Sequence, residues 1–387
     1  METAHLLITL GGLFLAGLAA DQIGRATQLP RVTMLLALGL IAGQSGFGLL
    51  PAGVYEWFET LSTIALTMVA FLLGSSLSVE NLAKHGRAIV AISMSVALVT
   101  LAIVTAGLFM AGLTLGLALI LGAIATSTAP AAMADVIRQS GLKNSFTDTL
   151  KGIVAIDDVW GLMIFSVAIA LVAQSSGWSG FANGVAHELG GGVLLGCVIG
   201  IPAAFVTGRI SPGEPLQAEA IGIVFLTAGF ALWFQVSFLI AAMTVGACIQ
   251  NFAKHHDRAF HEIENIQWPF MILFFLLAGA SLETEALLSL GWVGASYLIL
   301  RSIARIVGGA VGVRIARAPK RLAFLYGPAL LPQAGVAVGM GLVAAEKFPH
   351  WGPSIMAVVI ASTVVFELIG PPITQQMIRQ AARNNGS

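Results

Sequence analysis

The stretch Ile153-Val-Ala-Ile-Asp-Asp-Val-Trp-Gly-Leu-Met-Ile-Phe165 decides the fold class. Asp157 and Asp158 stand side by side in an otherwise apolar run, and no charge follows from Val159 to Ser179. A run of this length crosses a bilayer. A carboxylate near the bilayer centre costs roughly 3 kcal/mol on insertion scales, and two neighbouring ones also repel each other. Such a pair is kept where it moves cations or protons, or where a basic partner neutralises it.

The rest of the chain agrees with a membrane protein. Of 387 residues, 57% are hydrophobic and 10% charged, against about 25% charged in a soluble domain. The 44 glycines suit helices that pack closely in lipid. Cys197 and Cys248 both fall in apolar stretches and read as small packing residues rather than as a disulfide or metal ligands. Zero net charge leaves no basic surface for nucleic acid. The first apolar run, Leu6 to Ala20, is followed by Asp21 and Arg25 without a small-residue cleavage context, so it reads as a span rather than a signal peptide.

Cutting at charges and turn residues predicts thirteen membrane spans: about 5–21, 31–48, 57–78, 88–111, 113–137, 149–174, 188–208, 215–232, 236–252, 264–281, 286–312, 321–345 and 353–377. With the N-terminus outside, sixteen of the 19 Lys and Arg fall in inside loops or the C-terminal tail, Lys347 alone lies outside, and Arg301 and Arg305 lie within a span. This positive-inside alternation predicts an all-α integral membrane protein, N-out and C-in, in the cell (inner) membrane. A polar tail after Gln376 is expected, with no soluble domain.

Asp157, Asp158, Arg301 and Arg305 are the clearest intramembrane charges, followed by Glu219 and Glu367. A purely structural ion pair would account for one aspartate; the second needs another partner, and a cation or a proton is the simplest. Adjacent helix positions differ by about 100°, so the two aspartates cannot share a face, whereas Arg301 and Arg305, four apart, do. Burial disfavours a charged carboxyl and a nearby guanidinium favours it. A carboxyl poised between these effects binds a proton or a sodium ion, not both, and that competition is sufficient for exchange.

A second constellation is Ala125-Thr-Ser-Thr-Ala-Pro-Ala-Ala132. Pro130 removes a backbone hydrogen bond in mid-helix, and Thr126, Ser127 and Thr128 either satisfy the freed groups or offer oxygens to a hard cation. The twelfth span has a similar interruption at Leu331-Pro-Gln-Ala-Gly-Val-Ala-Val-Gly339, with Pro332 and Gly335. Two interrupted helices, each fifth in its half, point to an inverted-repeat transporter. The halves would be about 5–174 and 215–377, with 188–208 as a linker helix.

These residues carry a resemblance. The chain is similar, over nearly its whole length, to bacterial members of the monovalent cation:proton antiporter superfamily, the sodium/proton exchangers with paired aspartates. The matching stretches are Leu29-Pro-Arg-Val with Gly39-Leu-Ile-Ala-Gly43, Phe71-Leu-Leu-Gly-Ser-Ser-Leu77, the Thr-Ser-Thr-Ala-Pro run, Ala155-Ile-Asp-Asp-Val-Trp-Gly161, Phe274-Phe-Leu-Leu-Ala-Gly279 and Leu331-Pro-Gln-Ala-Gly335. The resemblance implies a homodimer in which a core with two crossed, broken helices moves against a dimerisation domain. It implies that Asp158 carries Na⁺ or the proton, that Asp157 pairs with a cationic side chain of the eleventh span, and that Thr126 to Thr128 lie at the crossing. Two departures stand out. Many such exchangers have Lys where this chain has Arg305, and Arg does not release its proton. Ala129 precedes Pro130 where electroneutral relatives often have Asp.

The expectation is a secondary antiporter exchanging Na⁺ or Li⁺ for H⁺, serving sodium transport and pH homeostasis. It would have no cofactor, and its partners would be the cations, protons and the lipid bilayer. K⁺/H⁺ exchange is the alternative, since both ions take oxygen ligands. A sodium-coupled organic anion symporter would need more aromatic and basic residues at the crossing, and no nucleophile–base set within a span points to an enzyme. His255, His256 and His261, with Asp257, Glu262 and Glu264, read as a solvated inside loop rather than a pH sensor. Trp57, Trp178, Trp268 and Trp351 read as interface anchors, Trp160 as a packing residue, and Gly308-Gly-Ala-Val-Gly312 as a close-packing helix face.

Overall fold

The computed structural model describes residues 2–27, 31–44, 46–50, 58–75, 86–129, 132–133, 136–137, 140–142, 144–173, 186–206, 216–253, 256–281, 291–333 and 335–385. Among them the regular structure is helical, with no strand. The helices are α1 (Glu2–Thr27), α2 (Arg31–Ala42), α3 (Phe58–Gly74), α4 (Gly86–Met110), α5 (Leu115–Ile124), α6 (Ser145–Ala173), α7 (Gly191–Val206), α8 (Leu216–Trp233), α9 (Phe238–Phe252), α10 (His256–Ala280), α11 (Gly291–Ala316), α12 (Tyr326–Ala329), α13 (Gly335–Lys347) and α14 (Gly352–Asn385). A π-helical turn, Ala186–Gly190, leads into α7. Among the described residues five helical stretches are long and apolar enough to cross a membrane: Gly86–Met110, Ser145–Ala173, Ala186–Val206, Phe260–Ala280 and Pro349–Arg383. In lipid a helix satisfies its own backbone groups, which is why apolar sequence of this kind takes helical form.

The chain divides into two compact units made of interleaved segments. One contains residues 1–55, 85–161 and 275–387; the other contains 56–84 and 162–274. In the first unit α4 packs along α11. The contact rests on glycine: a Cβ on Gly308 would lie 2.8 Å from Val96 Cα, and one on Gly312 would lie 2.7 Å from Ile92 Cα. Ser95 Oγ donates to Gly308 O at 3.0 Å across the same interface. Small residues let helix backbones approach and gain dispersion contact where lipid removes the hydrophobic drive. Gly39 and Gly43 of α2 likewise meet the backbone of Leu276 and Ala280. A core of Ile89, Ile92, Val96, Phe146, Leu150, Ile153, Val313, Tyr326 and Ile378 closes this unit.

In the second unit α9 packs against α3 and α7. Gly74 and Gly246 let α3 and α9 touch backbone to backbone, and Gly196 and Gly200 of α7 face Thr244 and Cys248 of α9. Cys197 and Cys248 are free thiols. The outward face of α7 is apolar, with Leu194 67% and Val198 62% exposed, a surface suited to lipid tails rather than water.

Two sequence readings change. The His261–Glu264 region was expected in a loop, but it forms the first turns of α10, where Ile263 is fully buried and anchors the extension; His255 lies outside the described residues. The tail beyond Gln376 was expected to be merely polar. It continues α14 to Asn385, because Ile378 and Ala381 are fully buried against the core of their unit.

Candidate ion-binding site

The site begins where α5 stops. Thr126 N and Ser127 N bond back only three residues, to Ala123 O and Ile124 O, and no helix continues through Ala125–Ala129. The hydroxyls of Thr126 and Ser127 donate to the same two carbonyls, at 2.7 and 3.0 Å. The carbonyls of Ala125, Thr126 and Ser127 therefore lack helical donors, and a helix C-terminus concentrates partial negative charge there. Two fully buried arginines of α11 meet that charge. Arg305 Nη2 donates to Ala125 O, Thr126 O and Ser127 O. Arg301 donates from Nε to Ala125 O at 3.1 Å and from Nη2 to Ser127 O at 2.8 Å.

Arg301 also reaches the second interruption. Its Nη1 donates to Leu331 O at 2.8 Å, in the irregular turn between α12 and α13. One guanidinium thus ties both broken helices together, with its Cζ 4.3 Å from the centre of the Phe366 ring of α14, within cation–π range. Among the described residues Arg301 makes no ion pair; its charge is met by carbonyl dipoles.

Arg305 Nη1 lies 3.1 Å from Asp157 Oδ2, with both side chains fully buried. Asp158 is also fully buried, and its Oδ1 accepts from Thr128 N at 3.4 Å. Among the described residues Asp157 Oδ1, Asp158 Oδ2 and Thr128 Oγ1 have no hydrogen-bond partner. Buried polar atoms without a partner are uncommon and call for a reason. One turn on from the aspartates, a Cβ on Gly161 would lie 3.3 Å from Thr126 Oγ1, so glycine keeps α6 close to the interrupted segment. Trp160 Nε1 donates to Ser93 Oγ at 3.2 Å on α4.

Asp157, Asp158, Thr126, Ser127, Thr128, Arg301 and Arg305 are therefore brought together in one unit. Pro332 is buried beside Gly370 of α14, and Gly335 opens α13 against the Phe275 ring. Pro130 lies outside the described residues. Two polar residues of this region escaped the sequence reading. Among the described residues Gln333 is fully buried with neither amide atom hydrogen-bonded, and Tyr297, one turn before Arg301, is fully buried with its hydroxyl unbonded. A Gln beside Pro332 in an apolar stretch was the available signal; nothing in the sequence marked Tyr297.

Buried acids and arginines set among helix interruptions define a class: an integral, multi-pass membrane transporter of the cell membrane with an antiporter fold. The chain belongs to the transmembrane sodium/hydrogen exchanger family, whose profile matches residues 10–379, and is thus a cation/proton antiporter. It is 23% identical over 332 residues, 80% of this chain and 78% of the relative, to KhtU, a K⁺/H⁺ antiporter subunit of Bacillus subtilis. Its fold resembles two structures of the sodium proton antiporter MjNhaP1 from Methanocaldococcus jannaschii. One, at pH 8, has a TM-score of 0.77 at 18% identity over 97% of both chains. The other, from electron microscopy, has a TM-score of 0.73 at 18% identity over 97% of this chain and 96% of the other.

Proposed function

We propose that the chain exchanges Na⁺ or Li⁺ for H⁺ by alternating access, with cation and proton competing for Asp158. The observation that carries this reading is the unequal partnering of the two aspartates. Among the described residues Asp157 has Arg305, whereas Asp158 has a long backbone contact and an unbonded Oδ2. Arg301 does not supply the missing cation, because its donors go to carbonyls at both interruptions. An isolated buried carboxylate is costly. Asp158 therefore takes either a proton or a cation, whose remaining ligands would come from Thr128 Oγ1 and Asp157 Oδ1. Thr126 and Ser127 contribute mainly by shaping the end of α5, since their hydroxyls donate into it.

Arg305 pairs with Asp157 and an arginine does not release its proton, so a proton moves through Asp158 and not through the arginine. The reading includes thirteen spans, N-out and C-in, two inverted repeats and assembly as a homodimer. Its test is cation-driven proton flux in proteoliposomes: Asp158→Asn is expected to abolish it, and flux that survives the substitution overturns the assignment. A second reading is K⁺/H⁺ exchange at the same carboxyl, favoured by the likeness to KhtU. Flux driven by K⁺ and not by Na⁺ or Li⁺ would select it.

A further inference from the structure

Among the described residues the buried carboxyl groups are Asp157, Asp158 and Glu367. Glu367 plays no part in the site above. It lies on α14, next to the Phe366 whose ring faces Arg301. Its Oε2 accepts a 2.7 Å hydrogen bond from Thr33 Oγ1. Thr33 sits in the first turn of α2, where backbone N–H groups lack helical acceptors and the dipole is positive.

Among the described residues no basic side chain pairs with this acid. Among the described residues the elements packed most extensively on α14 are α2, α5, α11, α12, α13 and the short turn Pro349–Trp351. Their charged or titratable groups are Arg301, Arg305, Arg314, Tyr297, Tyr326, Glu346, Lys347 and His350, with Arg379 and Arg383 on α14 itself; the Arg31 side chain lies outside the described part. Among the described residues the hydrogen-bonding partner of Glu367 is Thr33 alone. Two effects therefore oppose each other at this carboxyl: apolar burial favours the neutral form, and the start of α2 favours the anion.

We infer that Glu367 is a second proton-binding site, separate from Asp158, which sets the pH range over which exchange runs. The inference rests on the exchange reading proposed above. Proton binding removes the charge that α2 holds and so loosens the contact between α2 and α14. That change reaches the crossing through Phe366, which lies under the arginine joining both interruptions.

The test is cation-driven proton flux in proteoliposomes between about pH 6 and pH 9. Glu367→Gln is permanently neutral. It is expected to keep exchange while removing the pH step that Glu367 contributes, a change in rate of about tenfold per pH unit along that limb. Thr33→Val removes a donor to the anion, so it should move the profile toward alkaline pH and add nothing in the Glu367→Gln background. A Glu367→Gln profile that superimposes on the unsubstituted protein overturns the inference. If that variant does not fold, an unchanged profile for Thr33→Val overturns it instead. Failure of the exchange reading is separate: it is seen when Asp158→Asn still exchanges, whatever position 367 does.

Discussion

Arg305 joins Asp157 to three carbonyl oxygens with one planar group. A lysine carries the same charge on a single nitrogen and cannot span that set. Arg305→Lys is expected to lose about 1–2 kcal/mol, near the worth of one or two hydrogen bonds, read as a lower melting temperature in detergent, with exchange reduced but present. Arg305→Ala leaves Asp157 buried without its cation and should cost about 3–5 kcal/mol. A melting temperature equal to that of the unsubstituted protein would refute the pairing. At this scale the sequence was informative about which groups are ionisable and intramembrane, since a charge in an apolar run stands out. It was silent on partners: the spacing of Arg301 and Arg305 put them on one face, but only the path of the chain sends Arg301 to Leu331 O and Arg305 to Asp157.

Among elements, the glycines separate into two kinds. On α11, Gly312 would place a Cβ 2.7 Å from the Ile92 Cα of α4. A Gly312→Val substitution must push the helices apart, an overpacking cost of about 1–3 kcal/mol, visible in thermal unfolding. Gly229 of α8 has nothing within 4 Å of its Cβ position, so Gly229→Val is expected to leave that measurement within about 0.5 kcal/mol. Equal effects at the two positions would contradict the packing described for α11. The sequence foresaw the Gly308–Gly312 face from its spacing, and it foresaw breaks near 125–130 and 331–335 from proline beside small and hydroxylated residues. It misjudged the start of α10 and the end of α14, because a single buried side chain such as Ile263 or Ile378 extends a helix past the point where apolar periodicity fades.

For the whole molecule, ion choice is the measurable property. Reversal potentials of proteoliposome transport with Na⁺, Li⁺ and K⁺ compared are expected to show coupled exchange with Na⁺ or Li⁺ preferred. Equal currents for all three ions, independent of the proton gradient, would mark uncoupled conduction and sink the antiporter mechanism. The ratio of protons to cations follows from the same potentials. Since an arginine does not release its proton, Asp158 is the buried carboxyl left to carry one in the proposed scheme, and Glu367 acts on the pH range alone.

By itself the sequence determined the solvent of this protein and the chemistry available to it. Apolar runs of bilayer length demand helices, because no other local structure satisfies its backbone in lipid. Two aspartates and two arginines within those runs demand partners, because the bilayer supplies none. Only the tertiary structure decided which partners meet. The broken end of α5 exposes three carbonyls, α11 answers them with two guanidiniums, and the remaining charge falls on Asp157. Among the described residues Asp158 is left with an unbonded oxygen, and Glu367 meets Thr33 at the start of α2. These pairings join residues far apart along the chain, and local periodicity holds no information about contacts that only packing creates.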